Sequence, residues 1–316
     1  MEKLQENILD ISHNHYQYLL NLKNVSGVGL SYKKINNINT FEPCINVLVK
    51  EKVNEKYISS DNIIPKSYMG IKTDVSEVGK IKPCSNDHLI IKERLRPLQG
   101  GGGIEMVTNG EAGTLGCIVK KIIKDTPRYY ILTNNHVIAG DNDIPLGDAV
   151  MQPTKEFGGK YAKDIIAILS TFVPLKFKKG DEEPPNYIDA AIAKILRKEL
   201  ISNSIYKVGK ITGVNNTVNI GDKIKKVGFT TGLTEGEIES LGVTMIVPYN
   251  EYGTKDALFK NQITANLILD SGDSGAIVLN ESNEAIGLLF AGGEDYSCIN
   301  KISTVLRALK AEIFID

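Results

Sequence analysis

The sequence predicts a mainly β protein, a barrel or sandwich preceded by a small α/β unit and closed by a helix. Three observations carry this. From Thr114 onward, short apolar runs alternate with glycine or polar punctuation, the pattern of an all-β barrel or sandwich. Helical spacing marks the two ends, at Leu4, Ile8, Ile11 and Leu19, and at Val305, Leu306, Leu309 and Ile313. The length of 316 residues suits two or three compact units.

Residues 1–22 are expected to form an amphipathic helix, with His13 and His15 on a solvated surface, since i and i+2 side chains point to different helix faces. Residues 25–82 read as a small unit with strands at Val28–Lys33, Ile45–Val53 and Gly70–Val78. A loop or short helix spans Tyr57–Tyr68, where Ser-Asp-Asn and Pro65 interrupt the pattern. Residues 85–103 read as a linker, charged up to Arg96-Pro97 and ending in Gly100–Gly103. No Gly-Lys-Ser/Thr follows, so the glycines predict a flexible connection or a β-edge rather than a phosphate loop. Five strands follow, at Leu115–Lys121, Tyr129–Asn134, Asp148–Gln152, Ile165–Val173 and Ile188–Ile195. After a connection near Glu199–Gly213 come Lys223–Phe229, Gly236–Leu241, Val243–Val247, Ile263–Leu269, Gly275–Leu279 and Ala285–Ala291. The acidic, proline-containing stretch Gly180–Pro185 is expected to be a surface loop.

Composition excludes several function classes. The chain is 42% hydrophobic and 24% charged with a net charge of -1, so no nucleic-acid or anionic-membrane surface is expected. No run is long and apolar enough to span a bilayer. Residues 1–22 lack a basic segment followed by an apolar core, so no secretory signal and a cytoplasmic location are expected. The four cysteines, Cys44, Cys84, Cys117 and Cys298, match no zinc spacing and no disulfide scaffold; no metal or cofactor is expected.

The chemistry centres on Asp270-Ser271-Gly272-Asp273-Ser274-Gly275, a tight turn ahead of the apolar run Ala276–Leu279. Its glycines permit positive φ and close approach of a substrate. The amides of Gly272 and Ser274 can point at one spot and hold an oxyanion. A serine needs a base to become a nucleophile, and histidine is the usual one. Of four histidines, His13 and His15 lie in a polar segment and His88 in a turn. His136 follows the strand-like Tyr129–Thr133 within Asn134-Asn135-His136-Val137. A carboxylate should orient the imidazole. Asp189, opening the apolar segment Ala190–Ile195, is the preferred candidate. Asp164 is the rival, set aside because it follows Lys163 in what reads as a solvated strand end. Cys117, in an apolar strand, is expected to be a packed core residue rather than a nucleophile.

Thr133-Asn134-Asn135-His136-Val137, then Asp189-Ala190-Ala191-Ile192, then Gly272-Asp273-Ser274-Gly275 resembles the chymotrypsin/trypsin-like serine proteases, whose chain order is also His, Asp, Ser. The resemblance covers about residues 95–316. It is closest to bacterial trypsin-like peptidases with an N-terminal extension, a group that Cys44–Val49, Gly113–Cys117 and Val227–Thr234 also resemble. It implies two antiparallel six-stranded β-barrels with a small N-terminal α/β extension and a C-terminal helix. The expected units are 1–92 (extension), 93–200 (first barrel, with His136 and Asp189) and 201–316 (second barrel, with Ser274).

The implied activity is peptide-bond hydrolysis through an acyl-enzyme. Ser274 would attack, His136 would move the proton, Asp189 would orient His136, and Gly272 and Ser274 would hold the oxyanion. Gly287–Gly293 resembles the family strand that pairs with substrate backbone, so Phe290, Ala291 and Gly292 are substrate-binding candidates. In that family the residue six before the nucleophile lies at the base of the primary pocket. Here it is Ile268, which implies an apolar or small P1 side chain. The chain departs from the pattern at Asn135, where a small residue is usual, and at Gly275-Ala276-Ile277, in place of Gly-Gly-Pro. No Ile-Val-Gly-Gly activation sequence is visible, so Asp273 lacks an evident ammonium partner and its loop is expected to be organised otherwise. The expected partner is a peptide or protein substrate, with residues 1–92 open to a homo-oligomer or regulatory contact. A non-catalytic protease-like scaffold and an esterase using the same triad are the alternatives.

Overall fold

The computed structural model describes residues 2–36, 38–79, 91–250, 254–293 and 296–315. Cys84, His88 and residues 85–90 of the expected linker lie outside the described residues.

The helical spacing at the N-terminus gives α1 (Glu2–Asn14), whose Ile8 and Ile11 pack on a sheet with Val28, Leu30, Ile45 and Val47. That sheet is the hairpin β1 (Val25–Ile35) and β2 (Ile38–Val49), with β3 (Ile71–Glu77) parallel to β2. His13 departs from its expected solvated position. It is half-buried, its ring is flanked by Lys260 and Lys301, and burial with those charges pushes its pKa down.

The first barrel is built from β4 (Gly103–Met106), β5 (Ala112–Thr114), β6 (Cys117–Ile123), β7 (Thr126–Thr133), the one-turn helix α2 (Asn135–Ile138), β8 (Ala149–Met151), β9 (Ile165–Phe172) and β10 (Ala191–Ile195). Pairing runs β5, β4, β8, β9, β10, β7, β6, and the chain passes from β5 into β6 through Leu115 and Gly116. The sequence reading missed β4 and β5 because they are short and lie beside the glycine run. Gly100–Gly103 are buried, and Gly101 N donates to Leu115 O at 2.8 Å, so this run is the β-edge of the two expected alternatives.

The second barrel holds β11 (Lys223–Gly228), β12 (Gly232–Pro248), β13 (Asp256–Ala265), β14 (Ile277–Asn280), β15 (Glu284–Gly293) and β16 (Tyr296–Lys301). The ring is β11, β12, β13, β16, β15, β14 and back to β11. Two expected strands prove to be one, β12, with a register shift around Gly242. That glycine adopts φ +62°, so it marks a bulge and not a break. β16 escaped the sequence reading because it carries Ser297 and Asn300. Both are fully buried and hydrogen-bonded, to Ala265 O and Gln262 Oε1. The C-terminal helix α3 (Ile302–Leu309) buries Ile302, Val305 and Leu309. Beyond it, β17 (Glu312–Ile313) pairs with β6 of the first barrel.

The N-terminal sheet joins the second barrel by hydrogen bonding. β1 is antiparallel to β12, with Gly27 opposite Met245, Val28 opposite Thr244 and Leu30 opposite Leu241. Among the described residues no helix is long and apolar enough to cross a membrane.

Candidate active site

The strand-to-turn signal around His136 is real in the structure. β7 ends at Thr133 and α2 begins at Asn135, which places His136 on the first turn of a helix too short to move independently of the strand. Asn135 explains its own departure from a small residue. Its side chain is fully buried, donating to Asn142 Oδ1 and Val173 O at 2.8 Å each, and stitches the turn together.

Asp189 sits two residues before β10 and is fully buried. Such a carboxylate must be answered by hydrogen-bond donors, and four converge on it. Oδ1 accepts from the amides of Asn135 (2.6 Å) and His136 (3.3 Å). Oδ2 accepts from His136 Nδ1 (2.6 Å) and the Tyr249 hydroxyl (2.7 Å). Both barrels pin its backbone: Asn134 Nδ2 donates to Asp189 O (2.7 Å), and Asp189 N donates to Asn300 Oδ1 (2.8 Å). With Nδ1 facing a carboxylate, Nδ1 carries the proton and Nε2 is left as the acceptor. Burial pulls the His136 pKa down, but Asp189, Asp141 and Glu111 more than offset it, and the net shift is upward.

The rival acid has a different job, and the reason given for setting it aside does not hold. Asp164 is fully buried, not a solvated strand end. It is ion-paired with Arg94 and Arg96 and accepts from Lys160 N at 2.9 Å. Its partners were invisible locally because they lie far upstream. Cys117 is a core residue with 2% exposure, and burial pushes its thiol up to about 12, which leaves it no nucleophilic character near neutrality.

Ser274 lies in the turn between β13 and β14, with both neighbouring glycines Gly272 and Gly275 at φ +94°. Gly275 is required on a second ground: a Cβ there would overlap Thr133 Oγ1 and Thr114 O. The turn is thus pressed against the start of the His136 segment. Thr114 N donates to Ser274 O (2.8 Å), and a Cβ at Gly113 would lie 2.5 Å from Val137 Cγ1 and 3.2 Å from Ser274 O. The structure therefore brings the histidine turn and the serine turn to the same place. The Ser274 hydroxyl itself donates to Phe290 O at 3.4 Å. Among the described residues no hydrogen bond joins it to His136, and the amides of Gly272 and Ser274 donate to no protein acceptor.

Asp273, between those two amides, shows how the loop is organised without an amino-terminal partner. Its partner is Lys226, on β11, at 2.9 Å from Oδ2, and both side chains are fully buried. Thr230 N, Thr231 N, the Thr231 hydroxyl and Asp270 N complete its shell. The missed signal was parity: Lys226 shares the inward face of β11 with Ile224, where a charge has no place without a partner.

The substrate-binding candidates are placed unequally. Phe290 is 1% exposed, with its ring against Phe259 at 4.7 Å between centroids. Ala291 and Gly292 are buried as well, so these residues offer backbone rather than side chains. β15 supplies that backbone: its pairing with β14 ends at Leu288, while its pairing with β16 runs on to Gly293. Ile268 is 52% exposed, a surface side chain and not the floor of an enclosed pocket, so the P1 expectation loses its basis.

Two β-barrel units pack together, one supplying a histidine–aspartate pair and the other a serine turn flanked by glycines. This is the chymotrypsin-like fold. No family model and no curated protein matches the chain. Solved structures similar to it include Thermobifida fusca protease A, at 16% identity and a TM-score of 0.48, covering 69% of this chain and 98% of that one. Cellulomonas bogoriensis chymotrypsin is 17% identical, with a TM-score of 0.47 and coverages of 69% and 98%. Nocardiopsis protease is 15% identical, with a TM-score of 0.49 and the same coverages. At these identities the likeness concerns the fold and carries nothing about activity.

Proposed function

We propose that the protein is a serine endopeptidase in which Ser274 attacks a peptide carbonyl, His136 relays the proton and Asp189 orients His136. The observation that carries this is the bond from His136 Nδ1 to the buried Asp189 carboxylate at 2.6 Å, beside a serine turn in which the Gly272 and Ser274 amides are free. Each part has a distinct task. The carboxylate fixes the tautomer and stabilises the imidazolium formed when the hydroxyl loses its proton. The amides of Gly272 and Ser274 stabilise the oxyanion, and the β15 backbone at Ala291–Gly293 extends the sheet onto the substrate chain. Attack requires the Ser274 hydroxyl to leave Phe290 O and turn toward Nε2. On this reading 1–92 supports the second barrel through β1, while 93–200 and 201–316 each carry part of the site.

A fluorophosphonate probe should label the full-length protein at Ser274, mapped by mass spectrometry, with no labelling of Ser274→Ala. An unlabelled wild type would support the scaffold reading instead, which draws on the Ser274–Phe290 bond. Cleavage of activated esters without any peptide in a library would favour the esterase.

Because His136 must be neutral to act as base, and its pKa is raised, kcat/KM should rise with pH through a midpoint above the ordinary imidazole value. Glu111→Gln removes one of the anions that raise it and should move that limb to lower pH. A limb at or below the ordinary imidazole value in the wild type would contradict the assignment of His136.

A further inference from the structure

We propose that Tyr249 is a positioning residue of the catalytic centre, a tyrosine from the second barrel whose hydroxyl holds the Asp189 carboxylate of the first barrel in register with His136. This rests on the triad reading above. The Tyr249 hydroxyl donates to Oδ2 at 2.7 Å, the same oxygen that receives His136 Nδ1 at 2.6 Å. Two donors on one carboxylate oxygen fix its rotation about Cβ–Cγ, while the amides of Asn135 and His136 fix the other oxygen. Burial, and then the Asp189 charge, push the hydroxyl's pKa well up, so it stays a donor.

The ring is held as firmly as the hydroxyl. It stacks on Phe259 at 6.2 Å and meets His136 and Phe177 edge-on at 5.9 and 5.5 Å. Its backbone closes the β12–β13 hairpin, with Tyr249 N donating to Lys255 O at 2.9 Å. Lys255 then reaches Asp141 (3.0 Å) and Asp143 (3.6 Å), just after the His136 helix, so the hairpin grips the histidine turn from both sides of its tip. β12 is itself anchored on the far edge: β1 pairs with its residues 241–245, four residues short of Tyr249. The path from the N-terminal sheet to the catalytic acid is thus one strand and one hydroxyl. The N-terminal unit is thereby linked to the acid through β12, with none of its described residues hydrogen-bonded to Asp189 or His136.

Tyr249→Phe keeps the ring packing and removes only the hydroxyl. Losing one hydrogen bond to a charged group should lower kcat about tenfold with KM little changed. With Oδ2 no longer shared, Asp189 should bear more fully on the imidazolium, and the His136 titration midpoint should move to higher pH. The other charged groups facing this pair, Glu111, Asp141 and Lys255, and the Cys298 thiol near Tyr249, are unchanged by the substitution. Nitrogen-detected NMR of the His136 ring reads that midpoint in a Ser274→Ala background, with and without Tyr249→Phe, and needs no turnover. A slower kcat with an upward midpoint supports the role. A kcat within twofold of wild type and an unmoved midpoint would overturn it. If the wild type is not labelled by the fluorophosphonate, the protease reading falls on its own, and the NMR comparison still decides whether Tyr249 sets the histidine–aspartate pair.

Discussion

Asp189→Asn should lower kcat by about four orders of magnitude while leaving substrate affinity nearly intact. The reason is tautomeric. All four groups around this carboxylate are donors, so an asparagine must turn its amide nitrogen toward one of the two pairs. Its oxygen is best spent on the two backbone amides, which cannot rearrange. The NH2 then faces His136 Nδ1 and the Tyr249 hydroxyl. Nδ1 becomes an acceptor, Nε2 takes the proton, and the base no longer exists on the side that faces Ser274. Single-turnover acylation measured against pH gives the test, with circular dichroism as a check on folding. A loss under tenfold would show that the histidine works without its carboxylate, and the triad assignment would fail.

What the sequence made legible, and what it hid, divides by range. Strands with clean punctuation, such as β7 and β9, were readable from local pattern because burial of one face imposes it. The paired His136 and Asp189 stood out because each lies where an apolar strand meets a turn, and a polar side chain there needs a purpose. Features set by distant partners were not readable. Gly242 looked like a stop, yet a strand tolerates it as a bulge while neighbours pair on both edges. Asp164 looked solvated, yet Arg94 and Arg96 bury it. Tyr249 gave no local sign at all, since its value lies in reaching an acid sixty positions earlier in the chain. Lys226 did give a sign, a cation on the inward parity of β11, but the sign names no partner until Asp273 is placed beside it.

That partner makes Lys226→Met the second large effect. The side chain keeps its length and loses its charge, which leaves Asp273 buried without a counter-ion. Breaking a buried pair from one side costs about 3–5 kcal/mol, readable as a fall in the urea midpoint. The catalytic consequence is separate. Asp273 lies between Gly272 and Ser274, and its carboxylate ties their turn to Thr230 and Thr231 of the β11–β12 connection. If the carboxylate turns toward water, both amides leave the oxyanion position, and loss of even one such donor costs about 100- to 1000-fold in kcat. Adding Asp273→Asn removes the stranded charge, so the double variant should recover most of the stability while the rate stays low. Stability and kcat both within twofold of wild type for Lys226→Met would show that the four uncharged donors hold the turn unaided. The expected result carries a further consequence. Because Asp273 already has its cation from inside the second barrel, the uncleaved chain should react with the probe at its full rate, and its mass should not change before it does.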